Sequence, residues 1–170
     1  SGLKWASYNV GATSQYEVGE YFSWGELKVK DRYSMDNCST YGVPMGDFSG
    51  DAEYDVAAFA WGSTWRMPTE AEVLELKNNC TMEWVMIDND TQGCFVTGPN
   101  GNQIYLPSGG FMTETNVDFA DSEAAYWTSS PDNNEHDQGY ATFFYVYNNN
   151  FCNRGWMSRY VGMPIRPVSE

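Results

Sequence analysis

The clearest periodic stretch in the chain lies at residues 69–79. Pro68 stops the segment before it. Thr69 and Glu72 stand three residues apart, the spacing at which each side chain satisfies the other residue's exposed backbone N–H. Ala71, Val73, Leu74 and Leu76 supply the apolar positions, and Asn78 and Asn79 close the run before Cys80, so the pattern predicts a helix. A shorter helix is expected upstream, capped by Asp51, with Val56, Phe59 and Ala60 on one face and Gly62 ending it. Ahead of both, residues 4–10 alternate in part around Trp5 and predict a first strand, followed by the Gly11-Ala12 turn. Residues 28–50, rich in Asp, Asn, Ser and Gly with Pro44 among them, read as a long surface loop.

After Cys80 the period changes to that of strands. Residues 84–87 form a short apolar run. Residues 94–97 and 103–106 flank Gly98-Pro99-Asn100-Gly101, whose Asn-Gly pair tolerates positive φ, and this predicts a hairpin. The sequence Pro107-Ser108-Gly109-Gly110 interrupts the pattern. Residues 125–129 and 140–147 predict two further strands, with Asn148-Asn149-Asn150 as the turn after the second. Residues 165–168 make a last strand, which Pro167 marks as an edge. Two helices followed by five or six short strands describe an α+β domain with much loop.

The length of 170 residues suits one domain with a sizeable core, and neither an internal repeat nor a linker divides it. Nine Lys and Arg against 23 Asp and Glu leave a net charge of −14, which repels phosphates and anionic lipid heads. No nucleic-acid partner and no membrane insertion of this domain are therefore expected. At 16% aromatic residues the chain is too rich in rings for a disordered acidic tail. The start has no charged region followed by an apolar one, so no signal peptide is read there. Residues 1–170 are expected to be a domain cut from a longer surface or secreted protein.

Candidate enzyme chemistry is thin. Asp88-Asn89-Asp90 with Gly93 has a calcium-loop flavour, but the twelfth position, where a Glu is needed, holds Pro99. Asp118, Asp121 and Glu123 are clustered acids of the kind any chain this acidic carries. One His excludes a two-His zinc site, and His136 lies among Asp132, Glu135 and Asp137, which favour its protonated form. Cys38, Cys80, Cys94 and Cys152 show no Cys-x-x-Cys pair; an even count permits two disulfides, and Cys80 reads more readily as a buried thiol. No Gly-x-Ser-x-Gly elbow or phosphate loop occurs. The expectation is a protein that is not an enzyme and carries no metal and no cofactor.

The informative segment is 140–163. Phe143, Phe144, Tyr145, Tyr147, Phe151, Trp156 and Tyr160 are interleaved there with asparagines, Ser158 and Arg159. A strand hides one face well, so alternate members of this set are expected at the surface. Tyr, Trp, Asn and Ser together combine rigid amphipathic area with adaptable hydrogen bonding, the composition of evolved binding surfaces. The expected ligand-binding residues are Tyr145, Tyr147, Asn149, Phe151, Asn153, Trp156, Met157, Arg159 and Tyr160.

Several motifs, in order along nearly the whole chain, resemble one family. They are Trp5-Ala6 with Asn9-Val10-Gly11-Ala12; Gly19-Glu20-Tyr21-Phe22-Ser23-Trp24-Gly25-Glu26; Trp61-Gly62; and Trp65-Arg66-Met67-Pro68-Thr69 with Glu72, Leu76 and Asn78-Asn79-Cys80. Val96-Thr97-Gly98-Pro99-Asn100-Gly101-Asn102, Leu106-Pro107, Gly110, Tyr126-Trp127-Thr128-Ser129-Ser130, Arg159, Gly162 and Ile165-Arg166-Pro167-Val168 complete the match. Together they resemble the Fibrobacter succinogenes major paralogous domain family. The resemblance implies a C-type-lectin-like fold: two helices packed on small antiparallel sheets with long loops, and adjacent termini paired as neighbouring strands. It also implies a place outside the cell or on its surface in gut bacteria, as on a lipoprotein ectodomain or phage tail, and scaffold roles for Trp65, Arg66, Pro68, Trp127 and Arg166.

The calcium triplets of sugar-binding C-type lectins (Glu-Pro-Asn or Gln-Pro-Asp, and Trp-Asn-Asp) are missing, so calcium-dependent sugar binding is not implied. Cys94 and Cys152 lack the context of the cysteine pair in formylglycine-generating enzymes. The run 145–160 is similar to the hypervariable region of diversity-generating-retroelement variable proteins, a composition that ordinary members of the family share. The reading is therefore an extracellular adhesion or recognition domain for a protein or glycan ligand at a cell surface. A structural pilus or adhesin module is the alternative, and a carbohydrate-active enzyme ranks third.

Overall fold

The computed structural model describes residues 2–132, 138–148 and 150–170, with residues 151–154 described by their backbone alone. His136, Asn149 and the side chains of Phe151, Cys152 and Asn153 thus lie outside the described residues. Two helices, α1 (Val56–Trp61) and α2 (Glu70–Asn79), precede most of the strands. The strands are β1 (Lys4–Trp5), β2 (Thr81–Met86), β3 (Gln92–Thr97), β4 (Gln103–Pro107), β5 (Phe111–Thr113), β6 (Asn116–Asp118), β7 (Ala124–Pro131), β8 (Tyr140–Tyr147), β9 (Asn150–Ser158) and β10 (Val168–Ser169). They form four small antiparallel sheets, ordered β1-β10, β2-β3-β4, β5-β6 and β7-β8-β9. The molecule is a small α+β fold, as the sequence pattern predicts.

Helix α2 begins as expected. Thr69 Oγ1 accepts from the Glu72 N–H at 3.3 Å, and the Glu72 carboxylate accepts from the Thr69 N–H at 2.8 Å. Its Val73 and Leu76 enter the core while Ala71 and Leu74 stay outside. Helix α1 differs from expectation at its start. The cap is Asp55, not Asp51: its carboxylate accepts from the N–H groups of Ala57 and Ala58, and also from those of Gly50 and Met67. Because one buried carboxylate ties the helix start to two other segments, the first turn faces inward. Val56, Ala57 and Ala58 are buried, and Phe59 and Ala60 are exposed. Gly62, with φ of 88°, ends the helix as predicted.

The hairpin across residues 98–102 closes through the Gly98 N–H on the Asn102 carbonyl, with Gly101 at φ 81°. The first and last strands are shorter than predicted. Pro167 has no N–H to give, so the β1–β10 ladder stops at Val168 and continues only as single bonds, from the Ala6 N–H to the Pro167 carbonyl and from the Val10 N–H to the Ile165 carbonyl. The β5–β6 hairpin and strand β9 were not marked by the sequence pattern.

The sheet β7-β8-β9 is covered on both sides. On one side Phe144 and Val146 join Tyr126, Leu106 and the α2 residues Val73 and Leu76. On the other, Ala141 and Phe143 join Trp127, Trp24, Phe48 and Met163. Arg166 locks the chain ends to this core. Its buried guanidinium donates to Asn9 Oδ1 at 2.6 Å and to the carbonyls of Ala6 and Tyr105 at 3.0 and 2.7 Å. Cys38 and Cys94 are buried free thiols, whereas Cys80, expected to be buried, is a half-buried one. Burial pushes the Cys94 thiol up to about 11, which leaves it unreactive.

Candidate ligand-binding site

Apart from Asn149, which lies outside the described residues, the expected binding residues fall on β8, β9 and the turn that follows. Their register decides which of them meet. Since both faces of β8 are covered, the expected alternation of buried and surface rings does not occur along its middle. Phe143, Phe144 and Val146 are all buried, and Tyr145 is half-buried, stacked on Phe143 at 5.5 Å. Only Tyr147, at the strand's end, is exposed, at 48%.

On β9, Trp156 stands opposite Thr142 and is 60% exposed, the most open ring of the expected set among the described residues. It meets the ring of Tyr140 edge to face, with centroids 5.3 Å apart. Met157, opposite Ala141, packs against the core. Gly155 lies opposite Phe143, and a Cβ there would collide with the Phe143 ring, so glycine is what lets that ring lie flat across β9. Tyr147 and Thr142 are five residues apart along β8, an odd separation. Tyr147 and Trp156 therefore address opposite faces, at positions about 17 Å apart along the strand, and do not form one patch.

Arg159 is corrected from a contact residue to a buried anchor, only 2% exposed. Its Nε donates to the Tyr140 carbonyl at 3.1 Å, and its Nη1 donates to the carbonyls of Thr40 and Val43 at 3.0 and 2.7 Å. The guanidinium also lies 4.3 Å from the centroid of the Trp24 ring. The physical reason for its burial is that the long loop turns its carbonyls inward at 40–43 and needs a donor with several N–H groups there. Tyr160, next in the chain, is half-buried against the core and meets Tyr41 of the same loop at 5.7 Å.

The loop is held firmly behind this corner. Lys30 forms an ion pair with Glu26 and donates to Ser23 Oγ and to the Asn37 carbonyl. Glu26 in turn accepts from the N–H and hydroxyl of Ser39. Burial alone would raise the Glu26 carboxyl, but Lys30 and Ser39 outweigh it and hold the group below the usual carboxylate range. Thr40 Oγ1 donates to the Trp24 carbonyl at 2.6 Å.

Trp156 with Tyr140, and Tyr160 with Tyr41, thus make two aromatic pairs at the same end of the β8–β9 ladder. Arg159 links the two pairs, donating to the carbonyl of Tyr140 and to that of Thr40, the neighbour of Tyr41. Such rings offer apolar faces for stacking, while Ser158 and the loop backbone supply hydrogen-bonding groups around them. Sequence reasoning missed Tyr140 and Tyr41 as neighbours. Tyr140 carried a signal, since it opens the aromatic strand; Tyr41 carried none, because its approach depends on Arg159. Set against protein-family models, curated proteins and solved structures, the chain finds no match.

Proposed function

We propose that this chain is a C-type-lectin-like recognition domain that works outside the cell or at its surface. In this reading it binds a protein or glycan ligand through the aromatic corner at Trp156, Tyr140, Tyr160 and Tyr41. One observation carries the reading: in a sheet covered on both faces, a tryptophan remains 60% exposed with its ring braced edge-on against a tyrosine. A large ring kept in water and held rigid loses little entropy on contact with a partner. The ordered family-like motifs and the paired β1 and β10 add support. The test is an array of cell-surface glycans and displayed peptides probed with the protein and with Trp156→Ala. Binding lost at an unchanged melting temperature supports the reading; equal binding by both proteins overturns it.

A finer reading is that 145–160 is diversified by a retroelement. Because Met157 packs on the core and Arg159 is buried, diversification compatible with folding should spare both positions. Sequencing the locus in many clones tests this, and a uniform locus rejects it.

A further inference from the structure

Away from the aromatic corner, a groove of about 850 Å³ runs between the start of the chain, helix α2 and the β3–β4 hairpin. Its two banks are strand edges. Among the described residues, β1 on one bank pairs only with β10, and β4 on the other pairs only with β3. Arg166 ties the two banks together, donating to the Ala6 carbonyl next to β1 and to the Tyr105 carbonyl of β4.

The register shows which main-chain groups face the groove. Val168 exchanges both its N–H and its carbonyl with Arg66, so Trp5, opposite Val168, turns its own N–H and carbonyl away from β10. The Tyr105 carbonyl points away from β3 to reach Arg166, and Gly98 bonds Asn102 across the hairpin. Both facts place Thr97 and Gln103 in a pair without mutual hydrogen bonds, so the N–H and carbonyl of Gln103 also point outward. Among the described residues, neither these groups of Gln103 nor those of Trp5 have a hydrogen-bond partner. Both residues line the groove.

The lining gives the rest of the chemistry. Leu76, Cys80, Val96 and Ile104 supply apolar surface, and Glu75, Asn79 and Asn102 polar groups. Lys4, the cation of this lining, has its Nζ on the Glu170 carbonyl. The net charge of −14 draws a cationic partner to any open edge.

We propose that this groove receives an extended peptide segment of alternating apolar and basic residues, which adds as a strand to the open edges at Gln103 and Trp5. Its main chain bonds the outward N–H and carbonyl groups, its apolar side chains enter the floor, and its basic side chains stand over the acidic surface. The site is separate from the aromatic corner and does not depend on the function proposed for it.

The test titrates an acetylated, amidated heptapeptide of alternating lysine and valine into isotope-labelled protein. The Trp5 and Gln103 amide resonances are expected to move, and their hydrogen exchange to slow by about tenfold or more at saturation. N-methylation of every second peptide amide should weaken binding by about tenfold, as should Gln103→Pro, which removes an outward N–H at an edge that tolerates proline. The same measurement on the unaltered protein decides the matter should that variant fail to fold. No binding, or binding that leaves both amides unmoved, overturns the proposal. So does equal binding by a glutamate–valine peptide, protection of the amides by self-association without peptide, or occupation by uncharged xylo- or chito-oligosaccharides instead of the peptide.

Discussion

Arg159 and Trp24, 135 positions apart in the sequence, lie with the guanidinium carbon 4.3 Å from the indole centroid. The indole N–H in turn donates to the Thr128 carbonyl of β7 at 2.9 Å. Loop, core and sheet thus meet through one cation and one ring. The corner proposed to bind ligand rests on that junction, since Arg159 also holds the carbonyls of Thr40, Val43 and Tyr140.

Replacing Arg159 with Met should therefore release the loop as well as weaken the fold. Three carbonyls, that of Thr40 buried and those of Tyr140 and Val43 partly so, lose a charged donor, and the expected loss is about 3 kcal/mol or more, read from urea unfolding. Arg159→Lys should recover less than half of it, because one ammonium cannot reproduce a planar fork. Limited proteolysis should then cut within residues 28–50. A variant as stable and as protease-resistant as the parent would show that the loop has another anchor.

Gly155→Ala is expected to destabilise by about 1–3 kcal/mol, since the new Cβ meets the Phe143 ring across the strand pair. Phe143→Leu alone also destabilises, by opening a cavity. The two together should cost less than the sum of the single changes. Additive losses in the double-mutant cycle would remove the steric explanation.

Trp156→Ala should change stability by no more than about 0.5 kcal/mol, given its exposure. Trp127→Ala, whose buried indole donates to the Phe22 carbonyl, should cost about 3–5 kcal/mol. Melting curves of the pair separate the surface ring from the scaffold ring. Comparable losses would place Trp156 in the core.

Acid should weaken the fold through Glu72. Burial alone would raise this carboxyl, but the Arg66 guanidinium, at 2.6 and 2.9 Å, and the Thr69 N–H hold it below the usual range. Its folded pKa is lower than its unfolded one, so the unfolded chain binds more protons in that window. The stabilisation is complete above about pH 4.3 and disappears as pH falls through the folded value. Asp55, raised by burial against its four backbone donors, has the opposite slope: its contribution is present at low pH and is lost as pH rises through its folded value. Glu72→Gln should flatten the acid limb of melting temperature against pH. An unchanged limb would assign acid sensitivity to other groups.

What could be read in advance follows the range of each interaction. The Thr69–Glu72 box, the Asn-Gly hairpin and strand β8 are written within a few neighbouring residues, and all three form where expected. The sequence points to Asp51 as the cap of α1, and Asp55 suits the role equally by local composition. Asp55 takes it because Gly50 and Met67 also need its oxygens. Strand β9 was hidden because its Asn- and Gly-containing composition suits a loop, and only the Phe143 ring explains Gly155. The burial of Arg159 is not legible locally, because two of the carbonyls it serves come from 116 and 119 residues away.

The Arg166 junction also sets an order of events during synthesis. The guanidinium reaches back 160 residues to Ala6 and 157 to Asn9, and β1 has no partner until Val168 exists. A chain emerging from the ribosome at roughly 5–20 residues per second therefore spends many seconds with its first strand unpaired. Closure of the domain becomes one of the last folding steps, and this dependence on distant contacts makes folding slow compared with a helical bundle of equal size.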